Sequence, residues 1–431
     1  MAKKTVLHGS HHQVVDDGNF EKKESKGEKK MAKKQPEQEP VQDFVDDGFI
    51  VDIPDIPMPE DDVQDSGIIE DECDVAFKMA FIGIGQGGGR IAESFWKLGY
   101  RRVCAINTNS QDLSGVTIPD DNKLVMDIGH GGAGKDMAKG QEAVKVFHED
   151  IYDLMRRCFG SDVDRVMVCV GAGGGSGSGG CDGTVAIAHE FAKSIKIESE
   201  GGIPAVGVIV SLPKITEGGK VNANAYQVLE SLFTQVGNDK GKLSGRGISP
   251  LVIIDNDKID KIYPNLPITK FWQVANQNIS SLFHLFNSIA CKDSDFTTFD
   301  RADLKDVLDS GVLTFGACPL KKWDGQTDIS YAVRDNLRRN VLVGGFDLGM
   351  AKAAACVFIG STDVLDTVPQ SHLEHGFEML SRIMQPGSVV HRGIYKGAKP
   401  GLVVYTIMAE LGRPEERMTE IARVGGVSKK K

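Results

Sequence analysis

Gly171-Ala-Gly-Gly-Gly-Ser-Gly-Ser-Gly-Gly180 decides the reading of this 431-residue chain. It follows an apolar run, Val166-Met-Val-Cys-Val170, and precedes a helical stretch. Glycine lets a backbone approach a ligand closely and adopt positive φ. A loop that opens into a helix adds free N–H groups and the positive end of the helix dipole. Polyphosphate is the natural guest. One glycine run alone is as often a flexible turn, so the reading depends on what surrounds it.

Two more glycine-rich segments lie at the ends of apolar runs. Gly83-Ile-Gly-Gln-Gly-Gly-Gly-Arg90 follows the run from Phe77 to Ile84, and Gly129-His-Gly-Gly-Ala-Gly-Lys135 follows Leu124-Val-Met-Asp-Ile. The spacing Gly83-x-Gly85-x-x-Gly88 also fits a dinucleotide fingerprint, which wants an acid about 20 residues on, at the end of the next strand. That strand ends at Asn107-Thr-Asn-Ser and the next acid is Asp112, which counts against NAD. No GxxxxGK[ST] sequence occurs, which excludes a P-loop.

Outward from these segments, short apolar runs at Val103–Asn107, Ala205–Val210 and Leu251–Asp255 alternate with helical stretches. Continuous apolar strands between helices predict a parallel sheet covered on both faces. Phe271 to Ala290 reads as one long core helix, with apolar residues at helical spacing. Beyond Asp300, strand-like runs at Val312–Cys318, Ala353–Ile359 and Leu402–Met408 mark a second region. The expected organisation is a tail over 1–75, a sheet domain over 76–270, a central helix and connection over 271–297, a smaller domain over 298–412 and a charged tail over 413–431 that ends as a short helix and lysines.

The chain carries 50 basic and 60 acidic residues, for a net charge of −10. Up to Ala76, 9 lysines face 20 acids, so the acidity belongs to the tail and the body is near neutral. DNA binding is not indicated. The tail cannot bury enough apolar surface to offset its ordering entropy and is expected to be disordered. Its Asp52-Ile-Pro-Asp-Ile-Pro segment is a candidate docking motif for an anchoring or adaptor protein, and Met31-Ala-Lys-Lys repeats the first four residues. No apolar run approaches the ~20 residues of a membrane span. Eight scattered cysteines without a CxxC pair suggest neither a zinc site nor a disulfide framework, and fit a reducing cytoplasm.

Gly173-Gly-Gly-Ser-Gly-Ser-Gly179 resembles the signature loop of the tubulin/FtsZ superfamily, with Ser176 where Thr is usual. The similarity runs from about Phe77 to Leu411 and is closer to bacterial FtsZ-like proteins, including phage- and plasmid-encoded ones. It implies an α/β fold: a Rossmann-like parallel-sheet GTPase domain, a long central helix and a smaller α+β C-terminal domain. It also implies a cytoplasmic GTP-dependent filament protein. Phosphates would be held by Gly85, Gln86, Gly87, Gly88, Gly89, Gly132, Ala133, Gly134, Gly173, Gly174, Gly175, Ser176, Gly177 and Ser178, with Mg²⁺ balancing charge. Asn107 lies in the segment after the second strand, where Asn109 replaces the usual Asp. Pro213-Lys-Ile-Thr-Glu-Gly218 resembles the ribose loop and would put Glu217 on the sugar; Val221 replaces the family's basic residue. Trp272 and Asn276 match the base-stacking and base-reading positions, with Phe271 and Gln277 as alternatives.

Thr298-Phe-Asp-Arg-Ala-Asp-Leu304 resembles the family's catalytic loop, with Asp300 and Asp303 as its acids and Thr298 in place of Asn. Paired carboxylates can orient an attacking water. Asp is also common at helix N-caps and in first turns. About 19 helical residues, rising ~28 Å, separate Trp272 from these acids. That distance sets them away from their own subunit's phosphates, and the resemblance implies that they complete the site of the next subunit in a head-to-tail filament of GTP- and GDP-bound subunits. A GTP-binding scaffold with little turnover is the alternative.

Overall fold

The computed structural model describes residues 74–129, 131–199, 201–236, 247–265, 267–320, 324–337, 340 and 342–427. The acidic tail, apart from its last two residues, lies outside them, as do His130 and the C-terminal lysines.

The first half alternates strand and helix: β1 (Met79–Ile84), α1 (Gly85–Lys97), β2 (Val103–Asn107), α2 (Ser110–Ser114), β3 (Lys123–Val125), α3 (Met137–Val146), α4 (His148–Phe159), β4 (Arg165–Gly171), α5 (Gly175–Ser194), β5 (Val206–Leu212), α6 (Gly219–Gln235), β6 (Leu251–Asp255) and α7 (Asn256–Ile262). Then comes the long helix α8 (Ile268–Ile289). The second half runs α9 (Arg301–Leu308), β7 (Val312–Leu320), α10 (Gln326–Asn336), β8 (Ala353–Gly360), α11 (Thr362–Leu365), α12 (Gln370–Ile383), β9 (Val389–Lys396), β10 (Leu402–Ala409) and α13 (Glu415–Gly425).

The strands form one sheet in the order β3-β2-β1-β4-β5-β6-β7-β10-β8-β9. From β3 to β7 all neighbours are parallel. β10 is antiparallel to β7 and β8, and β9 runs parallel to β8. The join between the halves is short: β6 and β7 pair only through Leu251 with Val312 and Val252 with Leu313.

Strand alternation sorts the apolar residues onto two faces. Ile82, Val168, Val210 and Ile253 share one core with Phe191 of α5 and Leu229 of α6. Phe81, Met167, Ile209 and Val252 share the other with Phe95 of α1 and Phe283 and Phe286 of α8. This is why the strands read as unbroken apolar runs.

Two expectations shift. The first strand begins at Met79 rather than Phe77, because the Phe77 backbone is taken by a side chain: its N–H donates to Asn287 Oδ1 (2.8 Å), and Asn287 Nδ2 donates to its carbonyl (2.9 Å). Strand β9 was not foreseen; it is a sheet edge, and Val389 is half exposed. The short helix expected after Arg413 is α13, and its Met418, Ile421 and Ala422 are buried.

Candidate functional site

Parallel pairing of β1 with β4 brings two glycine runs out at the same end of the sheet, with Ile84 opposite Val170. Both runs are helix starts rather than loops: Gly85–Gly89 opens α1, and Gly175–Gly180 opens α5. Glycine is a poor helix former, so its presence here needs a steric reason. Gly85 has φ +71°, and a Cβ on it would lie 2.9 Å from the Gly177 nitrogen. A Cβ on Gly88 would run into the Cys169 carbonyl of β4. The two helix starts touch each other and the strands beneath them.

At Gly174, by contrast, a Cβ would meet nothing within 4 Å. Gly174 is the N-cap of the 20-residue helix α5, without a side-chain cap or an acid in the first turn. The first-turn N–H groups have no intrahelical acceptor, and the dipole there favours an anion. Among the described residues, the buried Ser178 Oγ in this turn has no hydrogen-bond partner. Open space, the first-turn amides beyond Gly175 and an orphan hydroxyl fit a bound phosphate.

The second glycine segment closes onto this start. The Gly175 N–H donates to the Gly134 carbonyl at 2.7 Å. Thr108, just beyond β2, lies with its Oγ1 2.6 Å from Ser176 Oγ and accepts from the Ala133 N–H at 2.9 Å. Asn224 of α6 donates to the carbonyls of Lys135 and Gly173, both at 3.1 Å. Thr108 and Asn224 were absent from the sequence-derived site. The only sequence signal was the position of Thr108 beside Asn107.

Asn107 itself is buried and acts within its own turn, donating to Asp112 (3.2 Å) and accepting from the Asn109 N–H (3.3 Å). Gly132 packs against the Asn109 side chain, where an added Cβ would have 3.3 Å. Glu217 is exposed and accepts from the Lys214 N–H at 2.8 Å in a short 3-10 turn, Ile215–Glu217.

At the start of α8, Phe271 is buried, whereas Trp272 is 36% exposed. The ring free to stack on a flat ligand is therefore that of Trp272. The Arg90 guanidinium lies 5.7 Å from the Trp272 ring centroid, which brings this turn of α8 to the first turns of α1. Asn276 is buried and Gln277 half-buried.

Asp300 and Asp303 lie elsewhere. Asp300 is the N-cap of α9; its Oδ1 accepts from the N–H groups of Ala302 (2.8 Å) and Asp303 (3.0 Å). Asp303 Oδ2 accepts from the Asp300 N–H at 3.2 Å, and its Oδ1 faces His391 Nδ1 at 2.7 Å. The other His391 nitrogen meets Asp306 at 2.9 Å. Arg301, between the acids, donates to the Ala76 carbonyl and pairs with Asp164 at 2.8 Å. Ala76 lies three residues before β1 and Asp164 immediately before β4. The acids thus sit at the strands' amino ends and the glycine helix starts at their carboxyl ends. Among the described residues no group of three His, Cys, Asp or Glu side chains could hold a metal ion.

A parallel sheet with glycine-built helix starts at its carboxyl ends and a long helix crossing beside them defines the tubulin/FtsZ class of fold. Residues 78–238 match the family model described as the Tubulin/FtsZ family, GTPase domain. It is 24% identical over 272 residues to the tubulin-like protein TubZ of Bacillus cereus, a match covering 59% of this chain and 58% of that protein. The chain thus spans less than two thirds of that relative's length. It is 25% identical over 339 residues to the cell division protein FtsZ 1 of Thermococcus kodakarensis, covering 78% of this chain and 80% of that one. The TubZ structure from a GTPγS-form protofilament of Bacillus thuringiensis serovar israelensis superposes with a TM-score of 0.69 at 20% identity, covering 82% of this chain and 92% of that one. At that identity the likeness establishes the fold.

Proposed function

We propose that the chain is a self-assembling GTPase that binds GTP at the helix starts of α1 and α5 and hydrolyses it against the next subunit. The observation that carries this reading is the separation of the two halves of the site. The uncapped amides lie at the carboxyl ends of β1 and β4, and the acids lie beyond their amino ends. Within one chain they cannot meet across a sheet and a 22-residue helix that rises ~33 Å. A head-to-tail neighbour brings them together, and a contact of that kind propagates into a filament.

In this reading the N–H groups of α1 and α5 hold the phosphates, the Ser178 and Ser176 hydroxyls add donors, Trp272 stacks on the base with Asn276 at its edge, and Glu217 serves the ribose. Mg²⁺ would travel with the polyphosphate rather than in a carboxylate cage. Both described bonds of the Asp300 carboxylate fall on Oδ1, leaving Oδ2 to orient a water, while Asp303 is engaged at both oxygens, one by the Asp300 N–H and one by His391.

The engagement of both acids in capping α9 favours one second reading: a GTP-binding scaffold with little turnover. GTP turnover measured against protein concentration, with light scattering on the same samples, separates the two. Turnover that appears with scattering above a critical concentration supports hydrolysis between subunits. Scattering with negligible turnover supports the scaffold. A cytoplasmic task in cell division or DNA positioning, and an adaptor held by the N-terminal tail, belong to this proposal. Deleting residues 1–75 without loss of partner binding or localisation would remove the adaptor.

A further inference from the structure

We propose that α13, through Arg417, positions the loop 213–218 and thereby sets how tightly the nucleotide's ribose is held. The inference rests on the GTP reading above and assigns Arg417 as a positioning residue that touches no ligand.

Arg417 is 6% exposed although it lies in the last described helix. Its Nη2 donates to the Pro213 carbonyl (3.0 Å) and to Asp255 Oδ1 (2.9 Å), and lies 2.6 Å from Asp257 Oδ2. Its Nη1 donates to Glu420 at 2.7 Å. Asp257 Oδ2 also accepts from the Ile215 N–H at 3.1 Å. One guanidinium therefore grips the loop twice, directly at Pro213 and through Asp257 at Ile215.

The rest of the loop hangs from the same frame. Lys214 pairs with Asp260 of α7 at 2.6 Å, and its ammonium lies 4.1 Å from the ring centroid of Phe271, the neighbour of Trp272. Asn222 of α6 donates to the carbonyls of Ile215 (3.2 Å) and Gly218 (2.9 Å). α13 packs on α6 so closely that a Cβ on Gly425 would lie 2.8 Å from the Ala223 nitrogen. A buried, multiply bonded guanidinium costs much to leave partly unpaired. A shift of the loop on binding is therefore transmitted to α13, and the docking of α13 biases the loop. Coupling of this kind is reciprocal.

Three measurements on the full chain test this. The first is affinity for a fluorescent GTP analogue and competition by GTP and 2′-deoxyGTP in wild type. The second repeats these in Arg417→Lys and Asp257→Asn, with thermal melts of each. The third is amide hydrogen exchange across residues 415–425 with and without GTP. Lysine keeps the charge but cannot span Pro213 and both carboxylates at once. The expected result is a lowered but still cooperative melt, with the chain folded at the assay temperature, GTP affinity reduced about tenfold, and a reduced preference for GTP over 2′-deoxyGTP, which a general loss of stability would not by itself produce. In wild type, GTP should slow exchange in α13. Unchanged affinity and preference in both variants, with α13 exchange indifferent to GTP, would overturn the proposal while leaving the GTP site intact. A wild-type chain that binds no GTP removes both.

Discussion

The hydroxyls of Thr108 and Ser176 lie 2.6 Å apart, and the Thr108 oxygen also accepts the Ala133 N–H at 2.9 Å. One side chain beyond β2 thus fastens the second glycine segment to the start of α5. Replacing Thr108 with valine keeps the volume but leaves both partners without their bond. The expected cost is about 1–3 kcal/mol of stability, read by chemical denaturation, together with weaker GTP binding because the segments lose their mutual register. Ser176→Ala should cost less, since the Ala133 bond survives. Equal effects from the two substitutions would contradict this apportionment.

Glycine serves two purposes in these helix starts, and they can be separated. Gly88→Ala forces a methyl group into the Cys169 carbonyl, backbone against backbone. A loss of about 3 kcal/mol or more is expected, at the upper end for overpacking. Gly174→Ala meets open space at φ −77°, so the fold should melt within about 0.5 kcal/mol of wild type, as for a surface change. Its effect should fall on nucleotide affinity. Circular dichroism melts paired with nucleotide titration would test the contrast.

Stability should fall at mildly acid pH for a reason inside α8. Burial, with a smaller contribution from Lys292, lowers the His284 pKa from 6.5 to about 4. The unfolded chain binds that proton near 6.5, the folded chain only near 4, so unfolding takes up a proton between the two. The contribution is full above pH 6.5 and is lost as pH falls toward 4, for a total of about 3 kcal/mol. Asp309 acts lower: burial raises its carboxyl, but Arg165 and Lys305 outweigh this and leave its pKa lowered. Urea unfolding from pH 7.5 to 4.5 should show the loss, and His284→Gln should flatten it in that window.

The parallel half of the sheet was legible because both faces are covered, so β4, β5 and β6 stand out as unbroken apolar runs. The helix α8 was legible from its wide apolar stripe. Other features depend on distant partners. Arg417 reads as one more charge in a charged C-terminal segment; its partners Asp255 and Pro213 lie 162 and 204 residues away. His391 and Arg392 broke the pattern of β9, yet one faces Asp303 and the other Glu374 at 2.8 Å. The glycine runs were recognisable as leading into helices, but that the glycines themselves build the first turns follows from contacts between segments that no local pattern encodes.

Because the acids and the glycine helix starts lie at opposite ends of β1 and β4, two defective chains should repair each other. Asp300→Ala removes an N-cap, at a cost of about 1 kcal/mol, and should abolish most turnover while GTP binding persists. Trp272→Ala should weaken binding at the other end and leave the acids intact. In an equal mixture that assembles at random, about a quarter of the interfaces join a sound pocket to a sound Asp300. At a GTP concentration too low to fill the Trp272→Ala pocket, turnover should return to about that fraction of wild type, well above that of either variant alone. A mixture as inactive as its parts, with co-assembly verified by pelleting, would mean that Asp300 does not serve the neighbouring subunit's nucleotide.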